Sequence, residues 1–235
     1  MKKYALICAY NEEKTIVDII SKTLKFVDKV IFVNDGSTDE TLSNVRKNFE
    51  KNEKVIIISL PKNFGKGYAM AQGFKRFLEE GGDVVVTLDA DGQHDPNEIP
   101  LVTLMIERGA SDIVIGSRYS KLKGYPKSRV FFNILSTFIL LLVSGAFYSD
   151  VASGYRAYSR SAIEKILPKL SLTGFGVELE TLKFAKEYDF KISTVPVETT
   201  YEKGKKPNFT KLAHGYLSFA WKYKRDAFKR IFSMN

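Results

Sequence analysis

The chain has 235 residues, 44% of them hydrophobic, and a formal net charge of +9, ample apolar content for a packed core in one large domain or two small ones. Its single cysteine, Cys8, excludes an intramolecular disulfide, and no apolar leader with a cleavage site follows Met1-Lys2-Lys3-Tyr4, so a reducing, cytoplasmic setting is expected. The charge is uneven: residues 203–235 hold nine Lys and Arg against one acid, Asp226, which leaves a nearly neutral body and puts any polyanionic partner, membrane or nucleic acid, at the tail.

Taken in chain order, residues 4–9 read as a strand and 12–27 as a helix that Asn11 caps. A strand at 30–33 precedes a helix at 38–49 with Ser37 or Thr38 near its cap. A third strand at 55–60 leads to a helix at 66–80 stopped by Gly81-Gly82; 84–88 is a strand, 96–108 a helix and 112–115 a strand. Strands joined by helices of this length imply an α/β fold, a mostly parallel sheet with helices on both faces and right-handed crossovers. Ligands of such sheets bind at the carboxyl ends of the strands. Here those ends carry Ala9-Tyr10-Asn11-Glu12, Asn34-Asp35-Gly36-Ser37, Asn63-Phe64-Gly65-Lys66-Gly67, Asp89-Ala90-Asp91 and Gly116-Ser117-Arg118.

The second half is less regular. The apolar run 130–147 reaches the lower limit for a membrane span, but Asn133, Ser136, Thr137 and Ser144 recur along one stripe. A span, a buried core helix and an interfacial or subunit-contact helix all remain open. Residues 208–232 place Phe209, Leu212, Tyr216, Phe219, Tyr223 and Ile231 on one helical face with Lys211, Lys222, Arg225 and Lys229 off it. That pattern fits a basic amphipathic helix on a membrane surface, or a docked terminal helix with a solvated basic face.

The chemistry concentrates at Asp89-Ala90-Asp91-Gly92-Gln93-His94. Two carboxylates at i, i+2 past a strand end, followed by a glycine turn, can converge on one hard cation whose open positions suit a diphosphate; the alternative is a solvated acidic turn. Asp35 can accept hydrogen bonds from a base or ribose, while Ser37, Thr38 and Asp39 also read as helix caps. The Asn63-x-Gly65-Lys66-Gly67 turn lacks Walker A spacing, and no G-x-G-x-x-G follows the first strand, which argues against a dinucleotide-binding oxidoreductase. Glu178 and Glu180, also at i, i+2, are either site carboxylates or solvated helix acids.

Together, Ala9-Tyr10-Asn11-Glu12, Val33 to Asp39, the Asn63–Gly67 turn, Asp89 to Gln93 and Gly116-Ser117-Arg118-Tyr119 resemble the family-two nucleotide-sugar glycosyltransferases. Ser149-Asp150-Val151-Ala152-Ser153-Gly154-Tyr155-Arg156-Ala157-Tyr158 is similar to their polyprenyl-phosphate branch, which includes dolichyl-phosphate mannose synthases. The resemblance implies a glycosyltransferase A fold, Mg²⁺ or Mn²⁺, and inverting sugar transfer. By position it gives Asp89 and Asp91 to the metal with Gln93 completing its shell, and Tyr10, Glu12, Asp35 and Lys66 to the nucleotide sugar along with Asp89 and Gln93. Arg118 and Arg129 meet phosphates at the donor–acceptor junction, Lys203 and Lys205 reach the acceptor phosphate, and Asp150 orients the acceptor or acts as base. Departures are Cys8 for the family's proline, Asn34-Asp35 for Asp-Asp, a 201–207 loop with lysines but no arginine, and no C-terminal transmembrane pair.

The implied layout is a catalytic domain over 1–207, with a nucleotide-sugar half to about 118 and an acceptor half from 119, then a basic amphipathic helix over 208–235. The implied reaction moves a hexose from a nucleotide sugar, GDP-mannose first and UDP-glucose next, to a polyprenyl phosphate at the cytosolic membrane face, with the protein peripheral there. A saccharide hydroxyl acceptor is the alternative and needs a working base. Nucleic-acid binding is not expected, because the tail aromatics follow a helical face rather than a stacking pattern.

Overall fold

The fold is that of a computed structural model, which describes residues 1–118, 127–171, 176–199 and 209–232. Apolar runs form strands β1 (Lys3–Ala9), β2 (Lys29–Asn34), β3 (Val55–Ser59), β4 (Val84–Asp89) and β5 (Ile113–Ser117), alternating with helices α1 (Ile16–Thr23), α2 (Thr41–Phe49), α3 (Lys66–Glu79) and α4 (Ile99–Glu107). Then follow α5 (Lys127–Ser144), β6 (Arg156–Ser159), α6 (Arg160–Ile166), α7 (Val177–Glu187), β7 (Ile192–Pro196), α8 (Phe209–Lys222) and α9 (Lys224–Phe232). The seven strands lie in the order β3-β2-β1-β4-β6-β5-β7. Only β6 runs antiparallel to its neighbours, β4 and β5.

Strand alternation divides the core between the two faces. Ala5, Ile7 and Ala9 of β1 pack with Ile16, Ile20, Val45 and Ile99 from α1, α2 and α4. Tyr4 and Leu6 turn the other way, onto Met70, Phe74 and Phe77 of α3 and Ile163 of α6. A third cluster joins Leu140 and Val143 of α5, Leu179 and Leu182 of α7, and Tyr216 and Phe219 of α8.

Several expectations change. Asn11 does not cap the first helix: its backbone has φ 58°, and its side-chain oxygen accepts the Thr38 N–H at 2.8 Å. It ties the β1 loop to the β2 loop, and α1 starts only at Ile16. Nor do Ser37 and Thr38 cap α2, since the Ser37 hydroxyl accepts the Asn11 N–H and Asp39 accepts the Thr41 N–H instead. The apolar run forms α5 with its polar stripe inward: Asn133, Ser136 and Ser144 are buried while Phe131, Ile134 and Phe138 are exposed. Among the described residues no helix is long and apolar enough to cross a membrane.

The tail forms two helices that meet at Tyr223, and Tyr216 and Phe219 of its aromatic face pack into the third cluster. Two ion pairs fasten it to α7, Lys222 to Glu180 at 3.0 Å and Asp226 to Lys183 at 3.2 Å. The docked-helix alternative therefore describes this aromatic face.

Candidate active site

Every parallel strand from β1 to β5 delivers its carboxyl end to one edge of the sheet, so the segments singled out in the sequence converge there. Asp89 is the last residue of β4, with its side chain 35% exposed. Asp91 follows in a tight loop and accepts two hydrogen bonds from Gln93, from its backbone N at 3.0 Å and its side-chain Nε2 at 2.6 Å. The loop is pinned from outside by Thr15, whose hydroxyl donates to the Ala90 carbonyl at 2.6 Å, and by Tyr155, whose hydroxyl donates to the Asp95 carbonyl at 2.9 Å.

His94, which the sequence offered only as a further potential ligand, organises this loop. Its ring is buried and stacked on Tyr155 with centroids 4.9 Å apart. Its Nδ1 accepts the Asp89 backbone N–H at 3.1 Å, so the proton of the neutral ring sits on Nε2, 3.8 Å from Asp89 Oδ2. Burial pushes its pKa down to about 4, Asp89 opposing and Arg118 and Lys66 assisting, which keeps the ring neutral at pH 7. A backbone bridge joins His94 to Thr199, and the Glu98 carboxylate accepts the Glu198 N–H. These contacts hold the Asp89–His94 loop against the chain at Glu198 and Thr199.

Lys66, at the start of α3, reaches Asp89 Oδ1 at 2.7 Å and Glu178 Oε1 at 2.8 Å. Burial works against both charges of the Lys66–Asp89 pair, but their mutual attraction outweighs it, raising the lysine pKa and holding the carboxyl below its usual range. A Cβ on Gly154 would stand 2.8 and 2.9 Å from the Asp89 oxygens and 3.0 Å from Lys66 Nζ, so any larger residue there would press on both side-chain ends. Glu178 and Glu180 are not solvated acids: both are buried in the first turn of α7, where the helix dipole favours anions. Glu180 accepts hydrogen bonds from Ser171 N and Oγ, Lys222 Nζ and Tyr223 OH. Arg156, fully buried, donates to the carbonyls of Val151, Ser153 and Glu178 and so locks the 151–153 turn against α7. These partnerships join segments far apart in sequence, and the only local signal was the apolar pattern of Val177, Leu179, Leu182 and Phe184 around the two acids.

Asp150 is fully buried with φ 55°. Its Oδ2 accepts the Arg118 backbone N–H and Nε–H, both at 2.8 Å, and Oδ1 accepts from Nη2. The guanidinium edge bearing Nη1 lies outside this pair. The charge of Arg118 also acts on Asp89 and His94, so the fork belongs to the same constellation. Asp35, expected to meet the nucleoside, is buried and accepts the Phe64 and Gly65 N–H groups at 2.8 and 2.9 Å; it shapes the turn before Lys66. Tyr10 is exposed at the end of β1, and Glu12 donates its backbone N–H to Thr41 Oγ1. Arg129 falls in the first turn of α5, with its side chain outside the described residues; Lys203 and Lys205 lie outside them altogether.

The donor set at this edge is two carboxylates with the Gln93 amide beside them. Hard oxygen donors of this kind fit Mg²⁺ or Mn²⁺. The Lys66 ammonium held against Asp89 marks the position as one that takes positive charge. Among the described residues no cluster of three or more His, Cys, Asp or Glu could hold a metal ion.

Residues 4–167 match Glycosyl transferase family 2. The chain belongs to that family. It is 33% identical to the UDP-N-acetylglucosamine–dolichyl-phosphate N-acetylglucosaminyltransferase of Methanococcus voltae over 233 residues, 92% of each chain. It is 27% identical to the undecaprenyl-phosphate mannosyltransferase of Micrococcus luteus, over 84% of this chain and 83% of that one. Its fold is that of glucosyl-3-phosphoglycerate synthase from Mycobacterium tuberculosis, solved with Mn²⁺, UDP-glucose and phosphoglyceric acid (TM-score 0.69, 19% identity, 93% of this chain and 79% of that one). The family-two chain is therefore a glycosyltransferase with the glycosyltransferase A architecture.

Proposed function

We propose that this glycosyltransferase moves a sugar from a nucleotide sugar to a polyprenyl phosphate, with inversion and with Mg²⁺ or Mn²⁺ bound at Asp89, Asp91 and Gln93. The observation that carries the reading is the meeting of the Asp89–Asp91 pair and the Asp150-held Arg118 at one sheet edge: sites for a metal–diphosphate and for a second anion, side by side. The relatives that use dolichyl and undecaprenyl phosphate support the acceptor class. The donor half runs to about residue 118 and the acceptor half from 119 to 207, with 208–235 as a basic helical tail.

When bound, the cation supplies charge to the departing nucleoside diphosphate. Tyr10 offers its exposed ring to the base, and Asp35 acts through the 63–65 turn that starts α3. A phosphomonoester is already largely ionised at pH 7, its second pKa being about 6, so no strong base is needed. The chain must instead make a second anion tolerable beside the diphosphate. Arg118 does this, with Arg129, Lys203 and Lys205, and Asp150 orients Arg118 by taking its Nε/Nη2 edge. A hydroxyl acceptor is disfavoured because the one carboxylate assigned to base duty is buried and engaged by three N–H donors of Arg118.

Contact with a membrane is part of the proposal: α5 turns Phe131, Ile134, Phe138 and Leu141 outward, and α8 exposes Leu217 and Trp221, beside a tail rich in lysine and arginine. For the donor, the relative matched over 92% of its length uses UDP-N-acetylglucosamine, which ranks a UDP-linked sugar ahead of the GDP-mannose expected from sequence. The test is a donor screen with purified protein, Mn²⁺ and a short polyprenyl phosphate. Lipid-extractable sugar from one UDP- or GDP-sugar is expected; extractable product from none of them refutes the reading.

A further inference from the structure

We propose that Lys66 is the resident counter-ion of the metal site, held by Asp89 in the metal-free protein and passed to Glu178 when a divalent cation takes Asp89. This deepens the metal assignment made above and rests on it. The three groups are within ion-pair distance, Nζ lying 2.7 Å from Asp89 and 2.8 Å from Glu178. They differ in access: the Asp89 side chain is 35% exposed and that of Glu178 only 9%. An entering cation therefore reaches Asp89 and not Glu178.

Gly154 lies against the Asp89–Lys66 contact, where a Cβ would stand 2.8 Å from an Asp89 oxygen. The ammonium already holds Asp89 Oδ1 at 2.7 Å, so a cation that takes this oxygen displaces Lys66. Its flexible stem lets the ammonium shift at little cost. An ammonium withdrawn into the protein without a counter-charge would be expensive, and Glu178 removes that penalty. Glu178 itself is fixed, at the dipole-favoured start of α7 with its backbone carbonyl held by the fully buried Arg156.

The two members of the pair should therefore act in opposite directions on metal affinity, which a merely structural salt bridge would not produce. The experiment is a titration of the full chain with Mn²⁺ alone, free Mn²⁺ being read by electron paramagnetic resonance, and then a repeat with UDP present. Relative to wild type, Lys66→Met, which removes the competing cation, should bind Mn²⁺ about tenfold more tightly or better, and Glu178→Gln should bind it about tenfold more weakly. The double variant should return toward wild type. Thermal melts confirm that each variant is folded, and Lys66→Gln repeats the lysine test if Lys66→Met is not. Unchanged or weaker Mn²⁺ binding in the folded lysine variant overturns the counter-ion role, as does unchanged affinity in Glu178→Gln. Asp91→Ala separates the two levels of the argument. If wild type shows no Asp91-dependent Mn²⁺ uptake with or without UDP, the metal site itself falls; if uptake is present but Lys66→Met does not tighten it, only the counter-ion proposal falls.

Discussion

Replacing Asp150 with asparagine separates a positioning carboxylate from a catalytic base. Asparagine tolerates the left-handed backbone at this position, where φ is 55°, so the change isolates the charge. The amide keeps one acceptor but turns an NH₂ group toward the Arg118 N–H donors, which now occupy both carboxylate oxygens. Arg118 is left as a cation whose side chain is only 11% exposed. Breaking a buried pair by neutralising one partner costs about 3–5 kcal/mol, and in a chain of this length each kcal/mol moves Tm by roughly 2–4 °C. Differential scanning fluorimetry should therefore show a fall of about 6–20 °C, accompanied by weaker acceptor binding as Arg118 loses its orientation. A base would behave differently: the variant would melt with wild-type Tm and lose only turnover. An unchanged Tm with abolished transfer would refute the positioning role and revive the hydroxyl-acceptor alternative.

Three further outcomes follow from the geometry. Gly154→Ala should force the Asp89 carboxylate off its rotamer, at about 0.5–1.5 kcal/mol, and strain its contact with Lys66, so that calorimetry finds Mn²⁺-dependent UDP binding about two- to tenfold weaker; unchanged binding contradicts the steric argument. Glu180→Ala removes the shared acceptor of Ser171, Lys222 and Tyr223 and should cost about 1–3 kcal/mol, with α8 and α9 becoming the first sites of limited trypsin cleavage; wild-type protection of those helices would contradict their docking through Glu180. For His94, the folded pKa of about 4 lies below the unfolded value of 6.5. Between those limits the unfolded chain binds the extra proton, so the contribution is fully present above pH 6.5 and lost as pH falls to about 4. In chelator-treated protein it amounts to about 3 kcal/mol, read as the difference between wild type and His94→Gln in urea unfolding; a difference constant across that window contradicts it.

The first half was legible because β1 to β5 are short apolar runs followed by polar or glycine-bearing turns, and parallel crossovers then bring those ends together without further information. The second half was not. Strand β6 has four residues and starts on the buried Arg156, which reads as a surface residue until the carbonyls it satisfies are known. Helix α5 looked ambiguous because its polar stripe faces inward: Asn133 accepts the Ala152 N–H and Ser144 bonds its own helix carbonyl, leaving the apolar side outward. Asn11 was misread as a cap because asparagine serves equally in a left-handed turn. At the site, Asp89 and Asp91 announced themselves by spacing. The partners that tune them could not, since Lys66, Glu178 and Gly154 reach them only through tertiary packing.

The central claim is that an already ionised phosphate, and not a hydroxyl, accepts the sugar. It is tested most directly by offering the protein, under saturating donor and Mn²⁺, the same short polyprenol with and without its phosphate, together with a soluble saccharide. Lipid-extractable sugar from the polyprenyl phosphate alone is the predicted result. Equal or faster transfer to the free polyprenol or to the saccharide would contradict the account.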